Sequence, residues 1–157
     1  RFNSSLDHEA ENLILKKYIN VGVAVDTPAG LVVPSIRDVA NKTIFQLSKE
    51  LMDISARAKE KKLKPDELTG STFTISSLGG IGGARFSPIV NPPEVAILGV
   101  SKSKWSPVYY KETRSFEPRY IMPFCVSYDH RVIDGAAGAS FTTRLANILS
   151  NEKHFED

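Results

Sequence analysis

The stretch Asp129-His130-Arg131-Val132-Ile133-Asp134 sets an imidazole four residues ahead of a carboxylate. An imidazole with a pKa of about 6.5 takes up and releases a proton near neutrality, which suits His130 to act as a general base. A metal site needs more ligands than this neighbourhood supplies. The competing reading is a hydrogen-bonded histidine beside an Asp134 that only caps a helix, and the pattern leaves both open. Thr72-Phe73-Thr74-Ile75-Ser76-Ser77 offers hydroxyls at the end of a strand-like run. A nucleophilic serine usually sits in a G-x-S-x-G elbow, which is missing, so a hydrolase built on Ser76 and His130 is disfavoured. A serine that donates to an oxyanion fits this setting, and so do strand-end hydroxyls bonded to nearby backbone. Gly79-Gly80-Ile81-Gly82-Gly83 lacks the G-K-[S/T] ending of a phosphate loop. It runs into Ala84-Arg85-Phe86 and prolines rather than a helix, so its glycines are expected to serve close packing or a bulge. His8 and His154 lie in polar terminal stretches and are expected to be solvated.

These groups need elements to hold them. Lys17–Asp26 alternates, with Tyr18, Asn20, Gly22 and Ala24 on one side and Ile19, Val21, Val23 and Val25 on the other. Thr27-Pro28-Ala29-Gly30 is a turn and Leu31–Ile36 runs back, so a hairpin is expected, with Pro34 on an edge or at a bulge. Ile44, Leu47, Leu51, Ile54 and Ala58 mark one face of a helix started by Asn41 or Thr43. Arg57, Lys59, Lys61 and Lys62 suit the negative end of its dipole. Pro65-Asp66-Glu67-Leu68 reads as one further turn, closed by Gly70. Further strands are expected at Thr72–Ser77, Val95–Ser101, Val108–Lys111 and Tyr120–Ser127. A last helix follows Asp134, with Ala137, Phe141, Leu145 and Ile148 at helical spacing. Mixed strands with two long helices predict an α+β class, helices packed on one face of a sheet.

Composition narrows the field. Twenty Lys and Arg against eighteen Asp and Glu give a net charge of +2 over 157 residues. The basic cluster Lys59–Lys64 reads as a solvated helix end, so nucleic acid is not an expected partner. The longest apolar stretches, Val21–Val25 and Val95–Val100, are far too short for a membrane span, and no signal-peptide pattern opens the sequence. One cysteine, Cys125, excludes an internal disulfide and a cysteine-rich zinc site. The expectation is a soluble, intracellular, single globular domain with room for a real core.

Five segments, in order, carry more than any of them alone: Phe2-Asn-Ser-Ser-Leu6, Gly22–Pro34, Phe73-Thr-Ile-Ser-Ser-Leu-Gly79, Pro88–Gly99 and Asp129-His-Arg-Val-Ile-Asp-Gly-Ala136. From Arg1 to about Ser150 the chain resembles the catalytic domain of 2-oxo acid dehydrogenase E2 acyltransferases, with the acetyl-transferring branch of pyruvate dehydrogenase complexes the nearest look. The resemblance implies a chloramphenicol-acetyltransferase-like two-layer fold and a homotrimer with active sites between neighbouring subunits. It implies two substrates, coenzyme A and a dihydrolipoyl group carried on a separate lipoyl domain, and no metal. It makes His130 the base that deprotonates the attacking thiol and Ser76 the hydroxyl that bonds the oxyanion. Asp134 becomes the motif's carboxylate, which orients the site. E1 and E3 components would be partners, in a bacterial cytoplasm or a mitochondrial matrix. Succinyl or branched-chain transfer, or a non-catalytic core component, are the alternatives. Residues 1–157 would form one catalytic domain, N-terminally incomplete and without lipoyl or subunit-binding domains. A larger, 24-subunit cubic core stays open as an alternative to the trimer alone, with the polar ending Asn151–Asp157 counting against it.

Overall fold

The apolar runs become the strands of one mixed sheet, and the two periodic stretches become its helices. The computed structural model describes residues 1–7, 9 and 11–155, so His8 lies outside the described residues. The first half holds β1 (Ser4–Leu6), β2 (Leu13–Leu15), β3 (Val21–Val23), β4 (Val25–Thr27), β5 (Gly30–Val32), β6 (Ser35–Ile36) and α1 (Ile44–Lys59). The second holds β7 (Phe73–Ser77), β8 (Ala96–Val100), β9 (Lys104–Tyr110), β10 (Ser115–Ile121), β11 (Phe124–Tyr128) and α2 (Gly135–Leu149). A five-stranded sheet runs in the order β11-β8-β7-β3-β6. Its inner pairs β7–β8 and β3–β7 are parallel, and its flanks β11 and β6 are antiparallel to their neighbours. The α+β class is as expected. No helix among the described residues is long and apolar enough to cross a membrane.

The expected hairpin forms in two stages. β4 pairs with β5 across the turn, while β3 reaches past them to pair with β6 at the sheet edge. Pro34 is buried at the break between β5 and β6, where its missing N–H costs no ladder bond. Asn20 ties this edge to the rest. Its side chain donates to Gly70 O (2.9 Å) and accepts from Asp38 N (2.9 Å), and its carbonyl accepts from Thr72 N (2.8 Å). Gly22 is required beside it, because a Cβ there would lie 2.6 Å from Thr74 Oγ1.

Register separates the two faces of the sheet. Thr74, Ser76, Ile97, Gly99 and Cys125 share one, and Phe73, Ile75, Val126 and Tyr128 share the other. α2 covers the second face: Phe141 packs on Phe73 with ring centroids 6.0 Å apart and stacks on Phe2 at 4.3 Å. The core beneath is Val95, Ala96, Val132 and Ile133, with Leu6, Phe73, Val126, Tyr128 and Ala137 against it. α1 begins with a capping box between Thr43 and Gln46 and lies beside β4 and β6. The expected extra turn is a 3-10 helix, Pro65–Leu68. The Arg57 guanidinium bonds its Glu67 and holds that carboxyl down at about 2.

Several expectations need correction. The strand expected at Tyr120–Ser127 is two strands, β10 and β11, because the chain breaks at Met122-Pro123. β10 pairs along its whole length with β9, far longer than the expected Val108–Lys111. One face of this hairpin carries Trp105, Tyr109, Phe116 and Tyr120, all exposed, with ring pairs 5.4 Å and 5.3 Å apart. The small β1–β2 pair has no counterpart among the expected strands. On α1, only Ile54 and Ala58 of the periodic stripe are buried, while Ile44 stays 64% exposed. Beyond Gly79 the glycine loop does not close-pack: Gly82 and Gly83 have φ of 133° and 92° with open space where a Cβ would point. Their backbone freedom is what the loop uses.

Gly138 sets how closely α2 sits on β11, because a Cβ there would lie 2.7 Å from the Tyr128 ring. Gly138→Val should destabilise the fold by roughly 1–3 kcal/mol through overpacking, despite the better helix propensity of any non-glycine residue. Urea unfolding followed by circular dichroism reads this out, and an unchanged midpoint would count against the close-approach argument.

Candidate active site

β11 ends at Tyr128 and α2 begins at Gly135, leaving a short junction between two rigid elements. Asp129 anchors it at both ends of its own peptide. Its N–H donates to Val95 O (2.8 Å), and its carbonyl accepts from both Val132 N and Ile133 N (3.0 Å each). The Asp129 carboxylate folds back over the turn. It accepts from Arg131 N (3.0 Å), Arg131 Nε (3.0 and 3.1 Å) and Arg131 Nη2 (2.6 Å). These bonds to Arg131 hold the Asp129 carboxyl below its ordinary range. His130 stands at the apex, exposed, with its ring 5.9 Å from that of Tyr128. An exposed imidazole on a bonded turn is accessible for proton transfer to or from a bound group.

Asp134 is the N-cap of α2, its carboxylate accepting from Ala137 N at 2.8 Å. The capping half of the sequence reading is therefore right for Asp134. Its carboxylate bonds the helix and not the His130 imidazole, so any influence on His130 runs through the position of the junction.

Ser76 and Ser77 are the last two residues of β7 and differ in their bonding. Ser77 Oγ accepts a long bond from Gly79 N (3.4 Å), the bonded strand-end hydroxyl of the plainer reading. Ser76 is half-buried, and its hydroxyl makes no hydrogen bond among the described residues. It sits level with Gly99 of β8 and, across that strand, Cys125 of β11. β11 runs the opposite way, so Tyr128 lies about 10 Å further down the sheet at ~3.3 Å per residue, and two strand spacings across. His130 is beyond it. One chain therefore holds Ser76 and His130 at opposite ends of the sheet and does not bring them together.

Each end has its own cleft. At the His130 end, about 500 Å³ is lined by Tyr128, Asp129 and Arg131 on one side and Leu6, Val90 and Pro92 on another. At the Ser76 end, about 530 Å³ is lined by Arg85, Phe86, Ser101, Phe124 and Cys125. Cys125 donates to Phe86 O (2.8 Å), and burial pushes its thiol up, which disfavours the reactive thiolate.

Sequence reasoning missed Glu94. It is 7% exposed, and its Oε1 accepts from Thr74 Oγ1 (2.9 Å) and from Ser71 Oγ. Its Oε2 is buried with no hydrogen-bond partner among the described residues, and burial pushes its carboxyl up. A charge set directly against the apolar run Val95–Val100 was the signal available.

Comparisons with known proteins agree on a single family. A family model for the 2-oxoacid dehydrogenases acyltransferase (catalytic domain) matches residues 1–155. The dihydrolipoyllysine-residue acetyltransferase component of the pyruvate dehydrogenase complex from Haemophilus influenzae is 58% identical over 151 residues, 96% of this chain and 26% of that protein. The counterpart from Azotobacter vinelandii is 53% identical over 150 residues, 96% of this chain and 23% of that protein. The chain thus spans about a quarter of the length of these curated relatives. A crystallographic study of a serine, a histidine and an asparagine in the catalytic mechanism of Azotobacter vinelandii dihydrolipoamide acetyltransferase superposes with a TM-score of 0.93. It is 52% identical and covers 99% of this chain and 63% of that one. Chloramphenicol acetyltransferase, 15% identical with a TM-score of 0.55 over 94% of this chain and 69% of that one, shares the fold. The expected fold type is borne out.

The cap and the buried carboxylate each give a measurable consequence. Asp134→Ala should cost about 1 kcal/mol by leaving a helix-start N–H unbonded, while Asp134→Asn should cost little. Equal denaturation midpoints for the two variants would remove the cap from the account. Glu94 has its pKa raised on folding, so its contribution is fully present below about 4.3 and is lost as pH rises through the higher folded value. Glu94→Gln should therefore gain stability relative to the parent at pH 7 and lose that advantage near pH 4. Urea midpoints at the two pH values check the sign.

Proposed function

The chain belongs to the 2-oxoacid dehydrogenases acyltransferase family, as its catalytic domain, and from that premise we propose that it moves acetyl groups between dihydrolipoamide and coenzyme A. The acetyl choice rests on the 50–58% identity to acetyltransferase relatives over nearly the whole chain. The observation that carries the mechanism is the separation of Ser76 from His130 within one chain. A shared site follows if His130 of one subunit meets Ser76 of its neighbour, as in a closed ring where every interface is the same head-to-tail contact. A homotrimer is the assembly proposed, working with a lipoyl domain and with E1 and E3 components.

The chemistry is a direct thioester exchange. The His130 imidazole takes the proton of the coenzyme A thiol as its sulfur attacks the carbonyl of S-acetyl-dihydrolipoamide. A carbon–sulfur bond forms and the carbonyl oxygen becomes an oxyanion, to which the Ser76 hydroxyl donates. With no hydrogen bond to any described residue, it is available for that donation. Collapse breaks the bond to the lipoyl sulfur, and the imidazolium returns its proton to the departing thiolate. The chain's own groups thus handle one proton and one developing charge. A single well-placed donor to an oxyanion is worth about 2.7–4 kcal/mol of barrier.

His130→Ala should lower the rate of acetyl transfer from acetyl-CoA to dihydrolipoamide by roughly 10²–10⁴ in a folded protein. A rate close to the parent's would defeat the assignment of the base. Ser76→Ala should lower kcat more than it raises KM, since the bonded charge exists only near the transition state. The two impaired variants, unfolded together and reassembled into mixed oligomers, should recover part of the lost activity, because some interfaces pair an intact His130 with an intact Ser76. Absence of recovery in verified mixed oligomers would overturn the shared site.

A further inference from the structure

The His130 imidazole makes no hydrogen bond among the described residues; its ring contact is with Tyr128. Its placement must come from the backbone of the turn. That turn is closed over His130 by the residues on either side. Asp129 receives the backbone N–H of Arg131 on Oδ1 and the guanidinium on both oxygens, a bidentate clasp that spans the one residue between them. The guanidinium is 68% exposed and its partner carboxylate 23% exposed. An ion pair so open to water contributes little to fold stability, the more so because Val132 and Ile133 already anchor the junction in the core.

We propose that Asp129 and Arg131 are a positioning pair for His130: their clasp fixes the direction in which the turn presents the imidazole and sets a charge-neutral pair beside it. The inference rests on the reading of His130 as the base. Planar, forked guanidinium geometry is what makes the clasp directional, since an ammonium at the same place would supply charge without the two-point fit. Among the described residues, the charged and titratable groups on the segment of His130 are Tyr128, Asp129, Arg131 and Asp134, and the cleft beside Asp129 and Arg131 is also lined by Asp7 and Glu94. The two whose charges cancel most closely are Asp129 and Arg131.

The test compares the parent with Asp129→Asn, Arg131→Gln, the double variant, Arg131→Lys and His130→Ala, in steady-state transfer from acetyl-CoA to dihydrolipoamide. Each single variant should lose about tenfold in kcat, with KM for acetyl-CoA within about twofold of the parent. The double variant should be no worse than the singles, because the clasp is lost once. The acid limb of kcat/KM should move in opposite directions. Asp129→Asn leaves an uncancelled positive charge and shifts it to lower pH, and Arg131→Gln leaves a negative one and shifts it to higher pH. Both shifts should shrink in 1 M salt, where the Debye length falls to about 3 Å. Arg131→Lys should restore the acid limb without restoring kcat. Additive losses, limbs that move together, or parental kcat in both singles would each overturn the pairing. If His130→Ala is inactive and the singles are parental, only the clasp falls. If His130→Ala keeps the parental rate, the base assignment falls and the positioning role with it.

Discussion

The fold's working parts hang on the burial of Ile133 and Val132 against Val95 and Ala96. These two side chains follow His130 by two and three residues, so the core begins almost as soon as the turn ends. A large apolar side chain at zero exposure is worth roughly 1.5–3 kcal/mol relative to leaving it in water. That gain holds down a segment whose other groups face solvent. Asp129 adds the polar half of the anchor, its carbonyl receiving two amides and its amide reaching Val95. Everything downstream inherits this position, including the start of α2 and the seat of Gly138 on Tyr128.

The strand order then decides what one chain can do alone. β7 and β8 run parallel and β11 runs back against them, so residues near the end of β7 and residues just past β11 are sent to opposite ends of the sheet. No side-chain motion within the chain closes a gap of that size. Ser76 and His130 are each presented by rigid structure, on a strand and on an anchored turn, as precise chemistry requires. The separation of the two residues is thus built into the topology and does not depend on any one contact.

Much of this is readable in the residue order. The alternation about Val21, the stop at Gly70, the cap at Asp134 and the spacing along α2 are local signals, and local physics sets them. Where reading failed, the deciding forces were long-range. The stripe on α1 reads as a buried face because periodicity records which side is apolar, not whether anything covers it. Tyr120–Ser127 reads as one strand since its apolar character is continuous, yet Pro123 and the pairing with β9 divide it. Glu94 looks like an ordinary surface charge until Ser71 and Thr74, some twenty positions earlier, close on it. His130 and Ser76 are found by motif, whereas their separation could come only from sheet order.

Among the described residues the hairpin of β9 and β10 pairs with no other strand, and a lone two-stranded ribbon gains little stability in water. It bears the protein's single tryptophan, Trp105, 69% exposed and stacked obliquely on Tyr120. Indole emission reports the polarity around one ring, and here there is one ring to report. The fluorescence of this chain is therefore a spectroscopic address for the hairpin alone: red-shifted while that face is wet, and blue-shifted when something comes to lie over it, with no label added.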